Sequence, residues 1–298
     1  MIKITSLIGA LMMTLATMVA GAIGDTKATE LLTQARRALG GEQALAKVQG
    51  LSCAGTVQRL AGDRQISGEL SIDLQLPDKM LRTDSISPMN DGALIVTDQG
   101  INGDTLLRHT KTVNAPPGMF IRTPPAPAPG SDAEAQALRR ARAELARFAI
   151  AMVLTTPATL PVEFEYTGEA EAPDGKADVL TGKGPSNFAV QLFLDKKTHR
   201  PLMLAYKGVA PQMRVMTRTA DGPPDPAAAR AAPEHGAASL PPPQTVEINM
   251  FLDDYKRVDG VLLPHHVTQA IDGQTNEEWT FKTIKVNPAF KADAFAVK

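Results

Sequence analysis

The chain has 298 residues, 43% of them hydrophobic, enough to bury a sizeable core. Its 31 basic and 32 acidic residues leave a net charge of -1, which offers a nucleic acid no electrostatic footing. Aromatic residues are only 4%, so stacking platforms for bases or sugars are scarce, and 21% charged residues is not the composition of a wholly disordered chain.

The first segment, MIKITSLIGALMMTLATMVAGAIGDTK, has the layout of a secretory signal. Lys3 supplies a positive start, Ile4 to Val19 is apolar and almost uncharged, and the small residues Ala20, Gly21, Ala22 and Gly24 follow. The apolar run is somewhat short for a membrane span, and no cysteine ends it to carry a lipid. Residues 1–24 are therefore expected to be removed. Residues 25–298 should then form one domain in the periplasm, not an integral membrane protein.

After this segment, TKATELLTQARRAL (residues 26–39) places Leu31, Leu32, Ala35 and Leu39 at helical spacing, and Gly40-Gly41 ends the helix. Cys53 lies in the strand-like run LSCAGTVQRL. As the only cysteine it forms no internal disulfide, and its surroundings predict a small buried residue. In ISGELSIDLQL, Ile66, Leu70, Ile72, Leu74 and Leu76 share one face, as in a half-buried strand. KMLRTDSI returns, and ALIVTDQ with INGDTLLRH predicts a hairpin turning about Gln99-Gly100.

The Pro-rich stretch 115–130 breaks the pattern and is expected to be an extended loop. A helix over 131–154 follows, capped by Ser131 or Asp132, with Leu138, Ala141, Leu145, Phe148 and Met152 along one stripe. Further strands come after it. Phe188, Val190, Leu192 and Leu194 alternate with outward positions, as do Val246, Ile248, Met250 and Leu252. Between these runs, residues 221–244 are rich in Pro and Ala and poor in large apolar residues, the composition of a flexible surface insertion.

A sheet with one oily face must cover it, and the helix over 131–154 is the expected cover. If a gap remains between the two, Leu70, Ile72, Leu145, Phe148, Met152, Val190, Leu192, Ile248 and Met250 line an apolar ligand cavity. Methionines in these segments, Met152, Met203, Met213, Met216 and Met250, adapt to ligands but also serve as ordinary core.

No pattern in the chain carries catalysis, a cofactor or a metal. His265 and His266 are adjacent after Pro264, where a strand is expected to begin. They point to opposite faces of it and cannot both bind one ion. No HExxH helix, GxSxG elbow or GxxxxGK[ST] loop occurs. The run GKGPSN at 182–187 has the wrong spacing for a phosphate loop and reads as a turn. Asp253-Asp254 and Glu277-Glu278 read as solvated charge split across faces, and Trp279 as a packed core residue.

The C-terminal run DYKRVDGVLLPHHVTQAIDGQTNEEWTFKTIKVNPAFKADAF resembles the end of LolA-like periplasmic proteins, the outer-membrane lipoprotein-sorting proteins. ELLTQARRALGGEQALAKVQGLSCAGTV, LPDKMLRTD and INGDTLL resemble their helix, first strand and early hairpins, so the likeness covers most of residues 25–298. It implies an α+β fold: an unclosed antiparallel half-barrel wrapped around an amphipathic helix. It also implies a non-enzymatic role toward a lipid, an acyl chain or an acylated lipoprotein. A second role the same fold implies is an envelope sensor that binds a protein partner; a hydrolase lacks a motif. The lipoprotein carriers switch through a buried arginine, for which Arg59, Arg64 and Arg82 are the candidates here, none of them aligned to that role.

Overall fold

The computed structural model describes residues 18–61, 64–87, 92–114, 126–172, 175–209 and 244–297, and for residues 18–25, 61 and 172 the backbone only. Most of the signal-like segment, the greater part of the Pro-rich loop, and the insertion up to residue 243 lie outside the described residues, as do Met213, Met216 and His235.

Helix α1 (Met18–Leu39) begins eight residues before the expected start at 26, and the single turn α2 (Glu42–Leu45) follows it. Five strands come next: β1 (Gly50–Ala61), β2 (Arg64–Gln75), β3 (Lys79–Ile86), β4 (Leu94–Asn102) and β5 (Thr105–Val113). After α3 (Asp132–Val153) the chain returns through β6 (Glu163–Ala172), β7 (Gly175–Gly184), β8 (Phe188–Asp195) and β9 (Pro201–Val209). It ends with β10 (Thr245–Val258), β11 (Val261–Ile271) and β12 (Gln274–Val286). The described strands form one antiparallel sheet ordered β5-β4-β3-β2-β1-β12-β11-β10-β9-β8-β7-β6. Each neighbour is the next strand in sequence except β1 and β12, which join the two halves. Among the described strands the sheet does not close, and β5 and β6 are its edges. The unclosed antiparallel half-barrel is thus present in the chain's own ladders.

The expected β4–β5 turn at Gln99-Gly100 is displaced. Those residues pair within the strand, Gln99 with Arg82 and Arg108, Gly100 with Leu81 and Leu107, and the chain turns at Gly103-Asp104. Gly103 has φ +61°, which the tight turn needs, whereas Gly100 is a place of close approach: a Cβ there would lie 1.9 Å from the Met80 carbonyl oxygen. Pro264, expected to open a strand, lies inside β11 opposite Tyr255. The β11–β12 ladder begins only at His266, so at Pro264 one side of β11 is still an edge and the missing N–H removes no ladder bond there.

Two helices cover the concave face where one was expected. α3 lies against β4, β5, β9 and β11, and α1 against β6 and β11. α1 buries Leu31, Ala35 and Leu39 of the stripe read from its spacing, together with Ala28, while Leu32 is half-buried. α3 is half-exposed in its first half and buried from Leu145 to Leu154 apart from Arg147. The helices are tied by Arg36 of α1, whose Nε and Nη2 donate to the Leu154 carbonyl at 3.3 and 3.2 Å, satisfying a group the end of α3 leaves open. At the other end, Ser131 is the cap: its Oγ accepts from the Glu134 N–H at 3.2 Å, and Glu134 accepts in return from the Gly130 N–H at 2.6 Å. Ser131→Ala is expected to cost about 1 kcal/mol in urea denaturation with an unchanged m-value.

The C-terminal tail crosses to the convex face. Phe290 and Phe295 stack edge-on at 4.9 Å and cover Leu81 and Leu107, outward residues of β3 and β5. The Asn102 side chain donates to the Phe295 carbonyl at 3.1 Å and fastens the tail.

Candidate functional site

The register shows what faces inward. Leu70, Ile72 and Leu74 on β2 sit beside Asp84, Arg82 and Met80 on β3, and beside Gly55, Cys53 and Leu51 on β1. Across the sheet, Leu192 on β8 lies between Leu180 on β7 and Leu204 on β9. The nine residues read as a ligand surface are all buried and belong to one continuous apolar cluster, with α3 supplying Leu145, Phe148 and Met152. Two depressions lie elsewhere. A groove of ≈ 370 Å³ on the convex face is lined by Ala54, Ser71, Thr83, Ser85 and Lys282, with Leu70 at its margin. A cleft of ≈ 210 Å³ at one end of the sheet is lined by Gln58, Arg59, Gln65, Thr275 and Glu277.

Beside that cleft the inward face is charged. Arg59 donates from Nε to Glu277 Oε2 and from Nη2 to Asp84 Oδ2, both at 2.8 Å. Arg82 donates from Nε to both Asp84 oxygens at 3.1 Å, and from Nη2 to Asp84 Oδ1 at 3.0 Å and to Glu277 Oε1. The Trp279 indole N–H also donates to Glu277, and the Arg82 guanidinium lies 4.9 Å from the Trp279 ring centre. The side chains of Asp84 and Glu277 are 3% and 7% exposed, those of Arg82 and Arg59 12% and 28%. Burial by itself would raise the Glu277 carboxyl. The charges of Arg82 and Arg59 and their hydrogen bonds outweigh it and hold the group below the usual carboxylate range. Two cations and two anions thus neutralise one another inside the sheet.

Of the three candidate arginines, Arg59 and Arg82 join this cluster, while Arg64 is exposed near the start of β2. The solvated reading of Glu277 is overturned: it is a buried ion-pair member, while its neighbour Glu278 faces the other side. Local sequence hid this, because the partners come from β1 and β3, some two hundred residues away. One signal was available. In KMLRTDSI, Arg82 and Asp84 occupy the same strand face as Met80 and Ile86, so two opposite charges stand in an inward row.

The other singled-out residues have ordinary places. His265 is buried with Nδ1 3.0 Å from the Leu263 carbonyl oxygen, while His266 lies on the opposite face, half-buried. Cys53 is fully buried; burial, with the nearby Asp73 charge, pushes its thiol up and away from the reactive thiolate. Pro185, Ser186 and Asn187 turn the chain between β7 and β8. Trp279 packs in the core at 6.2 Å from Phe281. Met152 and Met250 are buried, and Met203 is half-buried. On the convex face Thr83 donates to Asp98 at 2.7 Å, and His109 stands 3.9 Å beyond Asp98. The carboxylate thus separates imidazole from hydroxyl, and the contact that would activate Thr83 as a nucleophile is not made. Among the described residues no three His, Cys, Asp or Glu side chains converge to hold a metal, and no helix is long and apolar enough to cross a membrane.

No family model and no curated protein matches the chain. Among solved structures it is similar to one described as an outer membrane lipoprotein-sorting protein domain from Vibrio parahaemolyticus, with 11% identity over 91% of this chain and 97% of that one, and a TM-score of 0.46. A LolA superfamily protein from Nitrosomonas europaea aligns with 10% identity over 91% and 97% of the two chains, at a TM-score of 0.46. A DUF1329 family protein from Desulfovibrio piger aligns with 9% identity over 90% and 96%, at 0.43.

Proposed function

We propose that this chain is an exported periplasmic binder or carrier of an apolar ligand (a lipid, an acyl chain or a lipoprotein) and that it works without catalysis. The observation that carries this reading is the relation of α3 to the open sheet. α3 links β5 to β6, the two edges, and covers the concave face between them. Its displacement would break side-chain packing but no ladder hydrogen bond, so the interior can open while the sheet stays intact. A guest would then take over the contacts of Leu145, Phe148 and Met152 with the strands.

Burying acyl surface contributes about 25 cal/mol per Å², or about 0.8 kcal/mol per methylene. Affinity should therefore climb steeply with chain length until the guest outgrows the interior. The export reading rests on the N-terminal segment: a positive residue, an apolar run, then small residues. Native mass spectrometry of the protein purified from its own cell envelope tests the function. The expected spectrum contains a complex heavier than the polypeptide by the mass of a lipid or acyl species. Bare polypeptide in every preparation, with no binding of added acyl chains, would refute the reading.

A further inference from the structure

Arg147 stands apart from the other inward arginines. It lies on α3, next to Phe148, with its side chain 12% exposed. Its guanidinium carbon is 3.9 Å from the ring centre of Tyr206 on β9 and 5.5 Å from that of Phe188 on β8. Nη1 donates to Glu144 at 2.6 Å, and Glu144 is itself about half-exposed, so this pair marks the rim of the interior. Nε is buried and has no hydrogen-bond partner among the described residues. A buried cationic donor left unmet is costly, and this one lies at the margin of the apolar cluster.

In the four-membered cluster the inward arginines face carboxylates. Arg59 and Arg82 each donate to both buried carboxylates there. At Arg147 Nε has no partner among the described residues, and an arginine presents Nε and Nη2 as one edge that matches a carboxylate or phosphate in two parallel bonds. The faces of Tyr206 and Phe188 fix the plane of the guanidinium. Phe148, the next residue of α3, and Met152 one turn on belong to the buried apolar cluster that also holds Leu192, Leu204 and Met250.

Building on the apolar-ligand reading, we propose that Arg147 receives the anionic head, a carboxylate or phosphate, of an acyl-chain ligand whose tail lies along α3. The ligand class is then an anionic amphiphile rather than a neutral lipid.

The test uses the chain with its signal segment removed and two fluorescent probes, 11-(dansylamino)undecanoic acid and its methyl ester. The acid should bind at least tenfold more tightly than the ester. Dodecyl phosphate should displace it, and inorganic phosphate at the same concentration should not. In Arg147→Met the preference for acid over ester should fall to within twofold, with ester affinity kept; Arg147→Lys should be intermediate. Equal affinity of the natural chain for acid and ester would overturn the head site while leaving an apolar binder. Binding of neither probe would overturn both readings. Displacement by inorganic phosphate as effective as by dodecyl phosphate would make the site one for free anions and overturn the amphiphile assignment. The two-probe comparison on the natural chain decides without relying on the folding of any variant.

Discussion

Arg82→Met is expected to lower folding stability by about 3–5 kcal/mol, because it leaves Asp84 and Glu277 buried beside a single remaining arginine. The two carboxylates share Arg82 and Arg59 in the folded chain, and Arg82 is the more enclosed of the cations. The folded carboxyl of Glu277 is held below its unfolded value, so its contribution is complete above the ordinary glutamate range near about pH 4 and is lost as pH falls through the folded value. In the variant the largest lowering influence is gone and burial raises the same group, so acid relieves it. The stability gap between natural chain and variant should therefore narrow below about pH 4. Urea titrations across the acid range measure both quantities. A loss under about 1 kcal/mol, or a gap that widens with acid, would mean that the cluster behaves as solvated surface charge.

The second large effect is expected at Leu192. This side chain is fully buried between Leu180 and Leu204, inside the cluster that α3 covers. Leu192→Ala removes buried carbon atoms and should cost about 2–5 kcal/mol, the spread depending on how far α3 and the neighbouring strands settle into the space. If the interior accepts acyl chains, saturating dodecanoate should raise the melting temperature of Leu192→Ala more than that of the natural chain. The guest then refills space that side chains no longer occupy and stabilises by mass action. Equal shifts in the two chains would place the ligand away from β8, and no shift in either would argue against an interior site altogether. Leu192→Asp is the harsher probe: it sets a carboxylate between two leucines, so loss of ligand binding in it is informative only where circular dichroism shows an intact sheet.

Much of the architecture was open to inspection in the chain. The alternation of Leu70, Ile72 and Leu74, and of Val190, Leu192 and Leu194, states which face of each strand is buried, because successive strand residues point to opposite sides. The α3 stripe and its Ser131 cap follow from the same kind of local geometry, a period near 3.6 and a side-chain oxygen placed to meet a free N–H. The β4–β5 turn was misplaced because Gln99-Gly100 and Asn102-Gly103 both offer a glycine. The choice went to the register in which Gly100 lets β3 approach within the reach of a Cβ.

Local pattern therefore determined the elements, their buried faces and the antiparallel run of hairpins, since each depends on residues a few positions apart. Three features were decided only when the sheet curled. The β1–β12 pairing brought Arg59 to Glu277 and made a buried ion cluster of residues that alone look solvated. The second covering helix, α1, took its place against β6 and β11, strands far from it in the chain. Arg147 was enclosed by Tyr206 and Phe188 from strands far along the chain. The physical reason is the same in each case. Backbone periodicity is a short-range property carried by the chain itself, whereas the burial of a charge depends on which distant side chains displace its water and whether they replace the hydrogen bonds that water supplied.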